Sequence, residues 1–171
     1  MLIRKAENKD ISRIAEIIVF TKRVTYRPIF KNDFVSFNEM QVVFEIERLK
    51  QPKELENIYV FDDGIVKAVV KVEEIDGMVK ISEFFVDTFF QGNGIGTKIL
   101  RTIVEKNSKD LFLYVLDKNE RSVKFYEDFG FKYSGVKEEY ANSGFYMLKY
   151  VFENKKQSKK YEKSNNLRNS T

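Results

Sequence analysis

Cysteine and histidine are both absent from the 171 residues, and only two prolines and eight glycines are present. Without Cys there is no disulfide, no thiolate metal ligand and no cysteine nucleophile. Without His the commonest metal ligand and the commonest general base are missing, and a Ser-His pair is excluded. No bound metal is expected, and acid-base chemistry falls to Glu, Asp, Tyr or Lys. Long apolar runs are missing as well: nothing approaches the roughly 18 uninterrupted apolar residues of a membrane span. The opening MLIRKAENKD carries charge from Arg4 onward and has no apolar core of a signal peptide. Neither export nor membrane insertion is expected, which leaves the cytoplasm as the expected location.

Sixteen Phe and nine Tyr in a chain that is 43% hydrophobic provide ample apolar surface for one core. A single folded domain is expected over residues 1–152. The net charge of +4 is not spread through it. Residues 153–171 carry six basic and two acidic side chains, so 24 of each sign remain in the body. The Lys-, Asn- and Ser-rich stretch 153–171 reads as a basic, weakly structured tail, solvated or used in a dimer or polyanion contact. A nucleic-acid function would rest on that tail alone and is not expected.

Leu2 and Ile3 open a short strand. Ile11, Ile14, Ala15 and Ile18 then share one helical face. Ser36 with Glu39 suggests a capping box ahead of a second amphipathic helix through Met40, Val43, Phe44 and Leu49. Between these helices RVTYRPIFKNDF reads as an aromatic, basic linker. Three strands follow, IYVFDDG, IVKAVVKVEE and VKISEFFVD, joined by the hairpin signals Asp63-Gly64 and Asp76-Gly77. Ile95, Ile99, Leu100, Ile103 and Val104 mark a third helix, and LFLYVL a strand buried on both faces. A helix from Glu120 to Phe129 stops at Gly130, and two strands near Phe131 to Gly135 and Phe145 to Phe152 complete the order βααβββαβαββ. The class is α/β with a mixed, mostly antiparallel sheet.

Chemistry concentrates in FFVDTFFQGNGIGTKIL, where an apolar strand runs into a glycine-rich turn and directly into a helix. Gly92, Gly94 and Gly96 let backbone N–H groups face a ligand, and the helix adds the positive end of its dipole, which makes an anion cradle suited to a diphosphate. The spacing fails a Walker A loop, because Thr97 stands where the second glycine belongs, and it fails Gly-x-Gly-x-x-Gly as well. It does read Gln91-x-x-Gly94-x-Gly96. Downstream, LYVLDKNERSVKFYEDFGF sets a strand, an Asn, a helix carrying Phe-Tyr, and Gly-Phe in succession.

These two segments resemble the acetyl-CoA-binding regions of the GNAT family of N-acetyltransferases, in the same order, and the resemblance extends over residues 1–152. It implies a sheet whose two central strands splay apart, acetyl-CoA as co-substrate, and direct acetyl transfer to a primary amine in a ternary complex. It implies that Gln91, Gly92, Asn93, Gly94, Ile95, Gly96 and Thr97 wrap the diphosphate. The backbone of Phe84, Phe85 and Val86 would pair with the pantetheine arm, Asn119 would bond near it and Phe125 would pack beside it. Family members more often carry Arg at position 91, so Gln91 implies somewhat weaker phosphate binding. Tyr126 matches the family's proton donor to the leaving thiolate, and a phenol is neutral near pH 7. A backbone N–H near Val86 would serve the oxyanion.

An alkylamine must lose a proton before attack. Glu83 is the first candidate base, on the resemblance. Asp87 shares its strand face with Phe85 and is the reserve, and water alone is a third route. Tyr126 reads equally as a core aromatic, because Val123, Tyr126 and Gly130 share one helical side. Tyr26, Phe30, Phe34 and Tyr140 are candidates to line an acceptor pocket, and Glu73, Glu74, Glu138 and Glu139 to attract a cationic acceptor such as a polyamine. The resemblance implies a homodimer built on the last strands. A peptide acetyltransferase and a non-catalytic CoA-binding module are the competing readings.

Overall fold

In a computed structural model of the protein, described over residues 2–141 and 143–154, the chain forms seven strands and four α-helices. The basic tail beyond residue 154 lies outside the described residues. Two compact units result. Of the described residues, the first comprises 2–73 and Ile81–Ile99, and the second Glu74–Lys80 and those from Leu100 to Asn154.

In the first unit β1 (Ile3–Lys5), β2 (Ile58–Asp62) and β3 (Val66–Ile75) pair antiparallel in succession, with Ile3 opposite Phe61 and Val60 opposite Val69. Helix α1 (Ile11–Phe30) buries Ile11, Ile14, Ala15, Ile17 and Ile18 against Ile58, Val60, Val69 and Leu49. These residues follow the helical spacing of the sequence, and their burial stabilises the unit through the hydrophobic effect. The stretch read as a linker belongs largely to α1, which continues through Pro28 to Phe30. It stops at Lys31, whose φ of 51° is left-handed and whose N–H bonds to Arg27 O at 2.8 Å. Side chains carry this extension: Tyr26 and Phe30 stack one turn apart at 6.0 Å. Arg23 reaches over to donate to Ser36 O at 2.8 Å and Met40 O at 2.6 Å.

The expected capping box is also absent. Ser36 lies within a turn of π-helix (Val35–Glu39) and donates its hydroxyl to Asn32 O, and Gln41 occupies the N-cap of α2 (Val42–Leu49). Helix α2 buries Leu49 and packs Val42 and Ile46 inward, while Val43 and Phe44, expected on the buried face, are exposed. At the start of the chain Arg4 grips both oxygens of Asp10, at 2.7 and 2.9 Å, and reaches Asp62 at 2.8 Å.

β4 (Met78–Val86) leaves β3 through Asp76 and Gly77, at φ 51° and 76°, the left-handed pair of a tight hairpin. In the second unit β5 (Leu111–Leu116) is buried on both faces, as its unbroken apolar run predicts, and pairs antiparallel with β7 (Tyr146–Phe152). β6 (Lys132–Glu139) lines the other side of β7 and extends beyond the end expected at Gly135, where the register shifts around φ 84°. α3 (Ile95–Lys106) begins in the first unit and ends in the second, and α4 (Glu120–Phe129) stops at Gly130 in the left-handed region. Phe131 is fully buried in an aromatic group with Tyr126 at 5.7 Å and Phe152 at 5.4 Å.

Two stability predictions follow from these anchors. Gly130→Ala places an L-residue at φ 116° and a methyl 3.3 Å from Phe152 Cε2, and should lower stability by about 2 kcal/mol, read from the urea midpoint. The Asp10 carboxyl is held below its ordinary range by the bonds from Arg4, opposed by burial and assisted by the Glu7 N–H. A carboxylate depressed in the fold contributes stability above its unfolded value, near pH 4, and loses it as pH falls through the folded value. Asp10→Asn should therefore weaken the protein at pH 7 by about 2 kcal/mol and flatten the acid limb of a stability-pH curve.

Candidate active site

The strand-to-helix passage in the first unit is built as a graded turn. As β4 ends, the Asp87 N–H donates to Lys67 O at 2.9 Å and keeps the chain on β3. Asp87 Oδ1 accepts from the Phe89 N–H at 2.9 Å and caps the single 3₁₀ turn Thr88–Phe90. Gln91 follows in extended backbone and turns its side chain inward, its Nε2 donating to Val86 O at 2.9 Å. Gly92 and Gly94 then take φ of 81° and 73°, with Asn93 between them donating to Phe90 O at 3.3 Å and Gln91 O at 3.4 Å. A Cβ at either glycine meets no atom within 4 Å, so backbone conformation and not space requires glycine there.

The first helical bond of α3 runs from the Lys98 N–H to Gly94 O at 3.0 Å. The N–H groups of Ile95, Gly96 and Thr97 therefore have no acceptor within the helix. Two left-handed glycines leading into free amides at a helix start suit a diphosphate. The Gln91 side chain, by contrast, acts on the chain's own carbonyl at Val86.

Strand alternation puts Glu83, Phe85 and Asp87 on one face, and all three meet helices. Phe85 packs against the core around α1, with Lys22 Nζ 5.6 Å from its ring centre. Asp87 is buried and its Oδ2 receives Arg13 Nη2 at 2.5 Å. Glu83 faces α2 and accepts from Arg48 Nη2 at 3.0 Å. Arg48 also reaches Glu54 at 2.8 Å and Glu45 at 2.9 Å. Burial works against the Arg48 charge, but the bond to Glu45 and the charges of Glu83, Glu45 and Glu54 outweigh it and hold the guanidinium above its ordinary value. The candidate base is thus one of three carboxylates on a single arginine. Arg48 and Arg13 had no place among the sequence candidates. The spacing of Glu45 and Arg48, three apart on a helix, is a local signal for the first. Arg13 and Asp87 are 74 residues apart and leave none.

In the second unit Asn119 caps α4, its Oδ1 accepting from the Ser122 N–H at 3.2 Å. Tyr126 is 8% exposed, with the rings of Phe125 and Phe131 at 5.2 and 5.7 Å. Its reading as a core aromatic is therefore satisfied whatever its chemistry. Among the pocket candidates, Tyr26 and Phe30 stack on α1, Phe34 is 63% exposed, and Tyr140 belongs to the second unit. The acidic candidates have neighbours of their own. Glu73 accepts from Ser82 Oγ at 2.5 Å, Glu74 pairs with Lys109, Glu138 accepts from Tyr114 at 3.2 Å, and Glu139 accepts from the Gly144 N–H at 3.0 Å. Among the described residues no group of three or more Asp or Glu is arranged to hold a metal ion, and no helix is long and apolar enough to cross a membrane.

Residues 23–131 match the model of the acetyltransferase (GNAT) family, and the chain belongs to that family. Its backbone is similar to an N-acetyltransferase from Staphylococcus aureus Mu50, with a TM-score of 0.71 at 16% identity over 89% of this chain and 100% of that one. It is also similar to PaiA N-acetyltransferase from Thermoplasma acidophilum in complex with coenzyme A, with a TM-score of 0.64 at 18% identity over 88% and 98% of the two chains. In sequence, 65 residues are 29% identical to a spermine/spermidine N(1)-acetyltransferase of Bacillus subtilis strain 168, a match that spans 35% of this chain and 43% of that protein. The similarity to the curated relatives thus covers less than half of their length.

The cradle makes its own prediction. Gly94→Ala forces an L-residue to φ 73°, and should cost about 1–2 kcal/mol of stability or shift the turn. Either result should raise the dissociation constant for CoA, measured by calorimetry.

Proposed function

We propose that the protein is an acetyl-CoA-dependent N-acetyltransferase whose acceptor is a primary amine of a small, polyamine-like molecule, with direct transfer in a ternary complex. The observation that carries the reading is the turn from Gly92 to Thr97, where left-handed glycines lead into backbone donors that the start of α3 leaves without helical acceptors. Family membership and the partial similarity to spermine/spermidine acetyltransferases support the reaction and the acceptor class.

When bound, acetyl-CoA supplies a thioester carbonyl and a thiolate leaving group. The chain's own residues do the rest. The backbone of Gln91 to Thr97 holds the diphosphate. Phe84 and Phe85 offer backbone to the pantetheine arm, whereas Val86 O already accepts from Gln91 and, at 3.4 Å, from Thr21. Asn119 and Phe125 keep the supporting roles that the family resemblance implies. Tyr126 is the proton donor. Glu83 takes the amine proton, directly or through water, while Arg48 stays with Glu45 and Glu54.

The test is release of free thiol from acetyl-CoA with a panel of polyamines, amino acids, aminoglycosides and short peptides. The protein contributes no thiol background, because it has no Cys. Polyamines should give the fastest release, and Tyr126→Phe should lower kcat at least about tenfold. Glu83→Gln should lower the rate near neutrality and recover as pH approaches the amine pKa near about 10, where the acceptor is already neutral. A Glu83→Gln rate that matches wild type at pH 7 would hand the base role to water. Release with peptides alone would reassign the acceptor, and no release with any amine would sink the enzyme reading.

A further inference from the structure

The segment that feeds the glycine cradle is held from outside. The first two residues of Val86–Gln91 are tied to α1: Thr21 Oγ1 donates to Val86 O at 3.4 Å, and Arg13 Nη2 donates to Asp87 Oδ2 at 2.5 Å. The same guanidinium donates through Nε to Val66 O on β3 at 3.0 Å and through Nη1 to Glu16 at 2.6 Å, so its orientation is set on three sides. Asp87 is fully engaged in turn. Its N–H goes to Lys67 O, its carbonyl accepts from the Phe90 N–H at 2.9 Å, and its two carboxylate oxygens take the Phe89 N–H and Arg13. With both oxygens occupied, Asp87 is poorly placed to collect a proton from an amine.

We infer that the Arg13–Asp87 pair, with Gln91 as its brace, is the positioning element of the CoA cradle, setting the direction of the Gly92–Thr97 amides without touching the ligand. A turn with two left-handed glycines has many open conformations, and each one frozen on binding costs affinity. Here the entry is fixed at Gln91 by its bond to Val86 O, and the exit by the Lys98 N–H bond to Gly94 O. Between these points lie Gly92 and Asn93, and the Asn93 side chain bonds back to Phe90 O at 3.3 Å and Gln91 O at 3.4 Å. The entry is in turn fixed because Asp87 cannot rotate: turning it would break the cap on Phe89 and leave the Arg13 charge without its buried partner. Gln91, expected on sequence to reach for phosphate, spends its amide on this brace.

The inference rests on the proposed reading of the cradle as the CoA diphosphate site, and the experiment separates the two. Wild type, Arg13→Gln, Asp87→Asn and the double variant of the full chain are titrated with CoA, and hydrogen exchange is followed without ligand. Each single variant should raise the CoA dissociation constant roughly tenfold, and the double variant should bind about as well as the weaker single, since the pair acts as one unit. The KM for acetyl-CoA should rise while the KM for the amine stays within about twofold. Exchange should quicken across residues 88–97 and stay unchanged in β2. Arg13→Lys, which keeps the charge but not the fork, should fall between wild type and Arg13→Gln, and it carries the test if Asp87→Asn does not fold. Unchanged CoA affinity in Arg13→Gln, or effects of the two substitutions that multiply, would overturn the positioning role. Failure of wild type to bind CoA would sink the reading of the cradle instead, and unchanged exchange over 88–97 in Arg13→Gln would still overturn the positioning role.

Discussion

A buried carboxylate has to be satisfied, and Asp87 is bonded from three places in the chain: its carboxylate takes Arg13 of α1 and the Phe89 N–H of the turn it caps, and its own N–H goes to Lys67 O on β3. This demand turns an open glycine-rich stretch into a defined one. Removing Arg13 leaves the buried Asp87 carboxylate without its counter-charge, which costs more than the bond contributes on balance. The direction of β4, the approach of α1 and the aim of the cradle are therefore linked through one side chain. Glycine gives the turn its conformational range, and Asp87 with Arg13 narrows it.

Arginine plays the same part elsewhere. Arg4 joins β1 to Asp10 and Asp62, Arg48 gathers Glu45, Glu54 and Glu83, and Arg23 closes the turn before α2 on two carbonyls. In each case a planar, permanently charged fork meets several acceptors at fixed angles, which lysine cannot reproduce. Most of these pairs are partly exposed, and their contribution to stability is correspondingly modest. Their weight lies in register and orientation. A chain without Cys or His has neither disulfides nor imidazoles to fix one element on another, and here guanidinium groups take that role.

What the sequence made legible was periodic or local. The apolar spacing of α1, the all-apolar run of β5, the Asp-Gly hairpin and the glycine turn each carry their structure within a few residues, and each appears where expected. Residues 23–30 read as a linker but continue the helix through Pro28, with Arg23 bonded to the following turn and the Tyr26 and Phe30 rings in tilted contact. Ser36 and Glu39 matched a capping box in spacing, yet the Ser36 hydroxyl found Asn32 O one turn back. The bond of the Gln91 side chain to Val86 O is not legible in sequence, since only the folded chain brings that carbonyl within its reach. The partners of Glu83 and Asp87 are long-range charges, to which a window of sequence is blind.

The two ends of α3 show where a ligand is needed. At the C-terminal end the chain commits a buried residue, Asn154, whose amide donates to Val104 O at 3.2 Å and Asn107 O at 2.9 Å, while its own N–H is taken by Asp110. Carbonyls that helix geometry leaves open are thereby closed by a side chain from beyond β7. At the N-terminal end the helix itself supplies no acceptor for Ile95, Gly96 and Thr97, and the residue before them is Gly94, where a Ser or Asp would be an ordinary cap. A left-handed glycine stands there instead, and Asn93, the nearest polar side chain, turns back to Phe90 and Gln91. The contrast between a C-terminal end closed by a buried side chain and an N-terminal end led in by a left-handed glycine, where the dipole is positive, is the physical ground for the proposed diphosphate cradle.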